Sequence, residues 1–310
     1  MEVAALLFDE IAVLFLIMGL GFLLVKTGVL KSADSRTLSM VIIWLINPAV
    51  VLRSFQIDFT PEVRDRFLLA VGVAVAVNLL LMLIAAVFGK LLRLDAVERA
   101  SVMYANAGNL VIPLVSAILG DEWVIYASAF MCVQLAFLWT HGQMQIGGGS
   151  GISWKKILLN PNLIAVAAGA VLLLTGLRLP PVIRNVCGQL GGTIGPVSMV
   201  MIGMLLADVN WGELLREKRS WIVMALKMGA APLIVLLFLR ATGVTRLAED
   251  GITIVYISFL AVITPCAATV TQLAQMYRNR PAYAGALNDM TTVVSILTMP
   301  LMTALYYLMM

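Results

Sequence analysis

Ten runs of apolar residues, each long enough to cross the roughly 30 Å hydrocarbon core of a bilayer as a helix, occupy most of this chain. They fall at residues 3–25, 37–55, 67–89, 100–119, 123–146, 160–177, 189–208, 219–240, 252–276 and 283–309. Lipid offers the backbone no hydrogen-bond partner, so each run is expected to satisfy its own peptide groups as a helix. The connections left over are short. Of 310 residues, 61% are hydrophobic and 12% charged, against about 25% charged in ordinary soluble domains. The expectation is an all-α integral membrane protein, multi-pass, in a cell (inner) membrane.

The same composition excludes other classes. Cys132, Cys187, Cys266 and the single His141 are too few and too scattered for a disulfide framework or a zinc site, so neither metal nor cofactor is expected. The net charge of +4 is spread over short loops instead of a basic face, which argues against a nucleic-acid partner. The acidic segment from Met1 to Glu10 lacks the basic start of a cleavable signal peptide.

Orientation follows from the basic residues. Lys26, Lys31, Arg36, Lys90, Arg93, Arg99, Lys155, Lys156, Arg216, Lys218, Arg219, Arg278 and Arg280 fall on one side, thirteen in all. Seven lie opposite: Arg53, Arg64, Arg66, Arg178, Arg184, Arg240 and Arg246. The positive-inside rule then puts both termini outside the cytoplasm. Residues 1–146 form a first five-helix repeat, 147–159 a cytoplasmic linker and 160–310 a second repeat of inverted orientation. The linker contains Gly147-Gly148-Gly149-Ser150-Gly151, a flexible composition that suits a natural or an engineered connection equally.

The letters carry traces of duplication. Thr27-Gly28 and Thr175-Gly176 are offset by 148 residues, as are Pro48 in Asn47-Pro48 and Pro196 in Gly195-Pro196. Pro113 and Pro265, each in the fourth span of its half, are offset by 152. Inverted repeats of this kind are a transporter hallmark, with binding sites at interrupted helices.

Pro113 follows Asn106-Ala107-Gly108-Asn109, and Pro265 follows Thr264. A proline in mid-helix removes a donor and clashes with the carbonyl four residues back, so each span is expected to kink or open. In lipid the freed groups are tolerated where they line a cavity, and Asn106, Gly108, Asn109, Thr264 and Thr269 suit one. Half-helix N-termini meeting at mid-membrane offer unpaired N–H groups and about half a positive charge each, an anion site. The plain alternative for one proline is a packing kink; two at corresponding positions favour a site.

Other polar residues lie at membrane depth. Lys227 sits eight residues into its span, roughly 12 Å at 1.5 Å per residue, and Asp289 lies at similar depth in the last span. Either can serve as a coupling charge, or the two can form a structural ion pair. Gln134 and His141, seven residues apart on one face, are read as a cavity residue and an interhelical hydrogen bond respectively. The methionines from Met199 to Met204 read as packing.

The run from Asn106 to Gly120, Asn-Ala-Gly-Asn-Leu-Val-Ile-Pro-Leu-Val-Ser-Ala-Ile-Leu-Gly, resembles the auxin efflux carrier family. So does Pro265 followed at an interval by Ala274-Gln275-Met276-Tyr277, with looser matches at Asn47-Pro48, Gly195-Pro196 and Met299-Pro300-Leu301. The likeness covers nearly all the chain. That family includes plant PIN-type carriers and bacterial transporters assigned to malate or malonate. The resemblance implies ten transmembrane helices in two inverted five-helix repeats, NhaA/bile-acid-symporter-like, with broken, crossing helices 4 and 9. It implies a scaffold of spans 1, 2, 6 and 7 that commonly forms a homodimer, and a transport domain of spans 3–5 and 8–10. It carries the proline crossovers to Pro113 and Pro265, the substrate-contacting asparagine to Asn106, and a polar fifth-span position to Gln134. The long cytoplasmic loop of some plant members is absent.

The expected function is secondary transport of small organic anions, carboxylates of auxin-like or malate/malonate-like type, by elevator-type alternating access. The expected substrate-binding residues are Asn106, Asn109, Pro113, Gln134, Thr264 and Pro265, with no catalytic residues. The rival within transporters is a sodium-coupled bile-acid-type symporter. A non-transporting receptor and an intramembrane hydrolase are further alternatives, the hydrolase lacking any nucleophile-elbow pattern.

Overall fold

The computed structural model describes residues 2–58, 60–149, 158–207 and 217–310. Among these the chain is helical, without sheet. In chain order the elements are α1 (Glu2–Lys26), α2 (Ser32–Ser54), α3 (Pro61–Leu91), α4 (Ala96–Met103), α5 (Ile112–Ile118) and α6 (Asp121–Ile146). They continue as α7 (Pro161–Thr175), α8 (Pro181–Leu206), α9 (Lys218–Thr242), α10 (Gly251–Ile263), α11 (Ala268–Met276) and α12 (Pro281–Met309). Six of the described helices, α2, α3, α6, α8, α9 and α12, are long and apolar enough to cross a membrane. Their outward faces are greasy, with Trp44 63% and Leu308 83% exposed, a surface that suits lipid as solvent and not water. Of the expected linker, residues 150–157 lie outside the described residues; Gly148 and Gly149 take left-handed backbone at φ 63° and 92°.

Prolines shape these helices in a way the apolar runs do not display. Three of the four wide π turns among the described residues, Ile42–Ile46, Ala107–Val111 and Leu226–Ala230, end two residues before a proline: Pro48, Pro113 and Pro232. Each turn contains the residue four back from its proline, whose carbonyl the ring would strike in a regular helix. One extra residue in the turn moves that carbonyl aside, and the helix runs on.

The chain divides into two compact units, each drawing on both halves of the sequence. One comprises residues 1–67, 108–132 and 158–209; the other comprises 68–107, 133–157 and 210–310.

In the first unit α1 lies along α8 at very short range. A methyl group placed on Gly21 would strike the backbone of Val200, and one on Gly203 the backbone of Met18. Reciprocal small residues allow this approach, the usual means of packing helices in lipid, where apolar burial alone offers little. Phe55, at the end of α2, packs against Gly169 of α7, where a Cβ would come within 2.7 Å of its ring.

In the second unit α10 is the core: every residue from Ile254 to Ile263 is buried. Tyr256 shares a hydrogen bond of 3.1 Å with the Thr303 hydroxyl, and the Tyr306 hydroxyl donates to the Ile252 carbonyl at 2.8 Å. One end of the unit is tied by charge. Asp95 caps α4 by accepting the Glu98 N–H at 2.9 Å, and the Glu98 carboxylate accepts the Asp95 N–H at 2.8 Å, a capping box. Glu98, wholly buried, also accepts from Arg219 at 2.7 and 2.6 Å and from the Tyr283 hydroxyl at 3.1 Å. Arg280 pairs with Asp95 and, at 3.1 Å, with Glu217, and lies 3.8 Å from the Tyr283 ring centre.

Candidate functional site

Two helices of the second unit stop inside the apolar runs of their sequence. At Pro265 the cause is local: a residue preceding proline is driven to extended backbone, and Thr264 takes φ −74°, ψ 159°. The helix resumes at Ala268. In the other segment α4 ends at Met103, Tyr104 is extended at φ −92°, ψ 129°, and helical structure returns at Ala107.

The two extended pieces pair with each other. Ala105 lies opposite Cys266 in an antiparallel bridge; the Asn106 N–H donates to the Pro265 carbonyl and the Ala267 N–H to the Tyr104 carbonyl, both at 3.0 Å. The outer edges are closed by side chains. Gln134 Nε2 donates to the Ala105 carbonyl at 2.7 Å and its Oε1 accepts the Ala105 N–H at 3.3 Å. Across the bridge the Thr291 hydroxyl accepts the Cys266 N–H at 3.1 Å and donates to the Leu287 carbonyl at 2.8 Å. The Cys266 thiol donates to the Ser101 carbonyl at 3.2 Å. Backbone freed by the interruptions is thus bonded on both sides, as a site buried in a low-dielectric interior requires.

The antiparallel pairing sets where positive charge accumulates. The helix resuming at Ala107 starts beside Pro265, past the C-terminal end of α10, and α11 starts beside Tyr104, past the C-terminal end of α4. The two N-termini therefore flank the bridge on opposite sides instead of pointing at one spot.

Of the residues expected at the site, Asn106 occupies the cap position ahead of Ala107. It is 9% exposed, and its carboxamide bonds to nothing among the described residues. Asparagine at a helix start ordinarily spends its oxygen on the first turn; here it does not. Thr264 is buried and its hydroxyl donates to the Ala261 carbonyl at 2.7 Å. Thr269, in the first turn of α11, is half-buried and makes no side-chain hydrogen bond among the described residues. Asn109 falls in the turn Ala107–Val111, its side chain outside the description. Pro113 belongs to the first unit, buried at the start of α5 and seven residues beyond Asn106, so the break at Tyr104–Asn106 is not made by Pro113.

Lys227 is completely buried in the turn Leu226–Ala230, with Nζ 3.5 Å from the Val262 carbonyl at the end of α10. An ammonium there complements the negative end of that helix. Asp289, half-buried on α12, has no hydrogen bond or ion pair among the described residues, and Lys227 and Asp289 do not pair. The Tyr104 hydroxyl donates to the Phe137 carbonyl and lies 3.0 Å from His141 Nδ1, an interhelical contact. Thr291 was not singled out from the sequence; a threonine pair, Thr291-Thr292, inside an apolar span was the available signal.

The first unit contains a separate cavity of about 390 Å³, lined by Arg53, Pro113, Ser116, Asp121, Gly188 and Pro196 among others. Arg53 Nε lies 3.3 Å from Asp121, whose other oxygen accepts the Ser116 hydroxyl.

No individual curated protein matches the chain. A family described as membrane transport protein matches residues 6–148 and 149–303, nearly the whole length. With that match running over nearly the whole length, the chain belongs to the membrane transport protein family, the family of the auxin efflux carriers, whose members are transporters.

Proposed function

We propose that the protein is a secondary carrier of small organic anions, carboxylates in particular, working by alternating access of elevator type. The supporting observation is Asn106: a buried amide with no described partner, next to a helix start and a backbone break. A carboxylate seated there accepts from the amide nitrogen and from first-turn N–H groups beyond Ala107, whose own N–H donates to the Ala105 carbonyl at 2.9 Å. Lys227, wholly buried with Nζ 3.5 Å from the Val262 carbonyl, adds a cationic group to the same unit.

In this reading the ten runs are ten membrane spans in two inverted five-helix repeats, with both termini outside the cytoplasm. Spans 3–5 and 8–10, which carry the bridge, move as the transport body, and spans 1, 2, 6 and 7 stay fixed and form the homodimer contact that the family resemblance implies. Sodium-coupled transport of bile-acid type is the second reading, supported by Asp289, an unpartnered half-buried carboxyl at membrane depth. Counterflow of labelled succinate, a simple carboxylate probe, into liposomes preloaded with unlabelled succinate tests the carrier. Exchange without added sodium is expected; exchange that requires sodium favours the second reading, and no exchange with any mono- or dicarboxylate overturns both.

A further inference from the structure

We infer that Arg53 and Arg184 form a second carboxylate site at the open end of the Pro113 cavity, where an arriving anion takes the place of Asp121 on Arg53. This rests on the reading of the substrate as a carboxylate. The 390 Å³ cavity and a neighbouring one of about 360 Å³ share Arg53 and Gly188; the second is lined by Arg53, Arg184, Asn185, Gly188 and Gln189. Each volume is within the range of about 300–1,000 Å³ usual for small-ligand sites.

The chemistry of the lining selects an anion. Arg53 Nε lies 3.3 Å from Asp121, and the Arg53 guanidinium makes no hydrogen bond among the described residues. The two terminal nitrogens, the pair of donors that grips a carboxylate side-on, are uncommitted. Gly188 lets Arg53 lie flat, since a Cβ there would strike the guanidinium. Arg184 and Asn185 are exposed and make no side-chain hydrogen bond or ion pair among the described residues. Asp121 is a poor permanent partner: a quarter exposed, held at one oxygen by Ser116 and offering the other in a single contact. A free carboxylate that binds side-on gains two charge-assisted hydrogen bonds where Asp121 makes none, so exchange on Arg53 is favoured.

The site lies at the end of α2 and the starts of α6 and α8, away from Lys26 and Lys31 at the other end of α1 and α2. Pro113, at the head of α5, lines the same cavity as Arg53.

Calorimetric titration of the full chain in lipid-free detergent with succinate tests this. Two binding events are expected in the wild type, one of them weakened by salt because exposed arginines are screened. Arg184→Gln, whose side chain is exposed and unpartnered and so not needed for folding, should weaken the salt-sensitive event at least tenfold, as should Arg53→Gln. Asp121→Asn should tighten it severalfold by removing the competing carboxylate. If Arg184→Gln leaves both events unchanged, or Asp121→Asn weakens the salt-sensitive one, the inference is overturned. Asn106→Ala should weaken only the other event, tenfold or more; if the arginine variants act as expected and Asn106→Ala changes nothing, the second site stands and the crossover reading fails.

Discussion

The carboxamide of Gln134 brackets the backbone of Ala105, donating to its carbonyl at 2.7 Å and accepting its N–H at 3.3 Å. On the facing edge the neighbouring residues Tyr104 and Asn106 are held by Ala267 and Pro265. A side chain from α6 thus does for one edge what a third strand does in a sheet.

Replacing Gln134 with leucine leaves the Ala105 N–H without a partner in an apolar interior, at a cost of about 1–3 kcal/mol for each orphaned group. The thermal midpoint of the purified protein should fall by several degrees. If Gln134 only lined a binding cavity, leucine would weaken ligand binding and leave that midpoint unchanged.

At the α1–α8 contact, Gly203→Ala pushes a methyl into the Met18 carbonyl. Backbone cannot yield as a flexible side chain does, so the helices must separate and lose contacts along their length. We expect a loss of about 1–3 kcal/mol, in the range of overpacked interiors, read as lower thermal stability. Gly19→Ala, where a Cβ meets nothing within 4 Å, should be neutral and serves as the control.

Burial pushes the Glu98 carboxyl up, but the hydrogen bonds from Arg219, the Asp95 N–H and the Tyr283 hydroxyl outweigh it and hold the group below its ordinary range. Glu98 lies ahead of the apolar run that starts at residue 100, outside the membrane-spanning segment. Because the folded value is depressed, its contribution is complete above the unfolded value of about 4.3 and fades as pH falls through the folded one. Unfolding midpoints taken from pH 7 down to 3 should therefore drop more steeply for the wild type than for Glu98→Gln, which is less stable at neutral pH and flatter in acid. Parallel curves would contradict that role.

Much of the fold was legible because lipid imposes one rule: among the described residues the apolar runs are mostly helical, and the run holding Pro265 breaks where the proline dictates. The other break was not placed by its proline. Pro113 is accommodated by the wide turn Ala107–Val111, whereas Tyr104–Asn106 is held open by partners, Pro265, Ala267 and Gln134, that only the folded chain brings near. The same limit hid Thr291 and the Arg53–Asp121 cavity, which depend on contacts between residues far apart in sequence. Glu98 was more readable than its neighbours, since Asp95-Ala96-Val97-Glu98 has the spacing of a capping box. Lys227 and Asp289 looked like natural partners by depth alone, yet depth says nothing about direction around a helix, and Lys227 meets the end of α10 instead.

Binding of succinate to Asn106→Ala, in protein whose unfolding midpoint matches the wild type, tests the crossover most directly. A hydrogen bond to a charged acceptor contributes about 1.5–3 kcal/mol, so the dissociation constant of the salt-insensitive event should rise roughly tenfold to a hundredfold. An unchanged constant would mean that no carboxylate rests on that amide, and the proposed transport site would have to lie elsewhere.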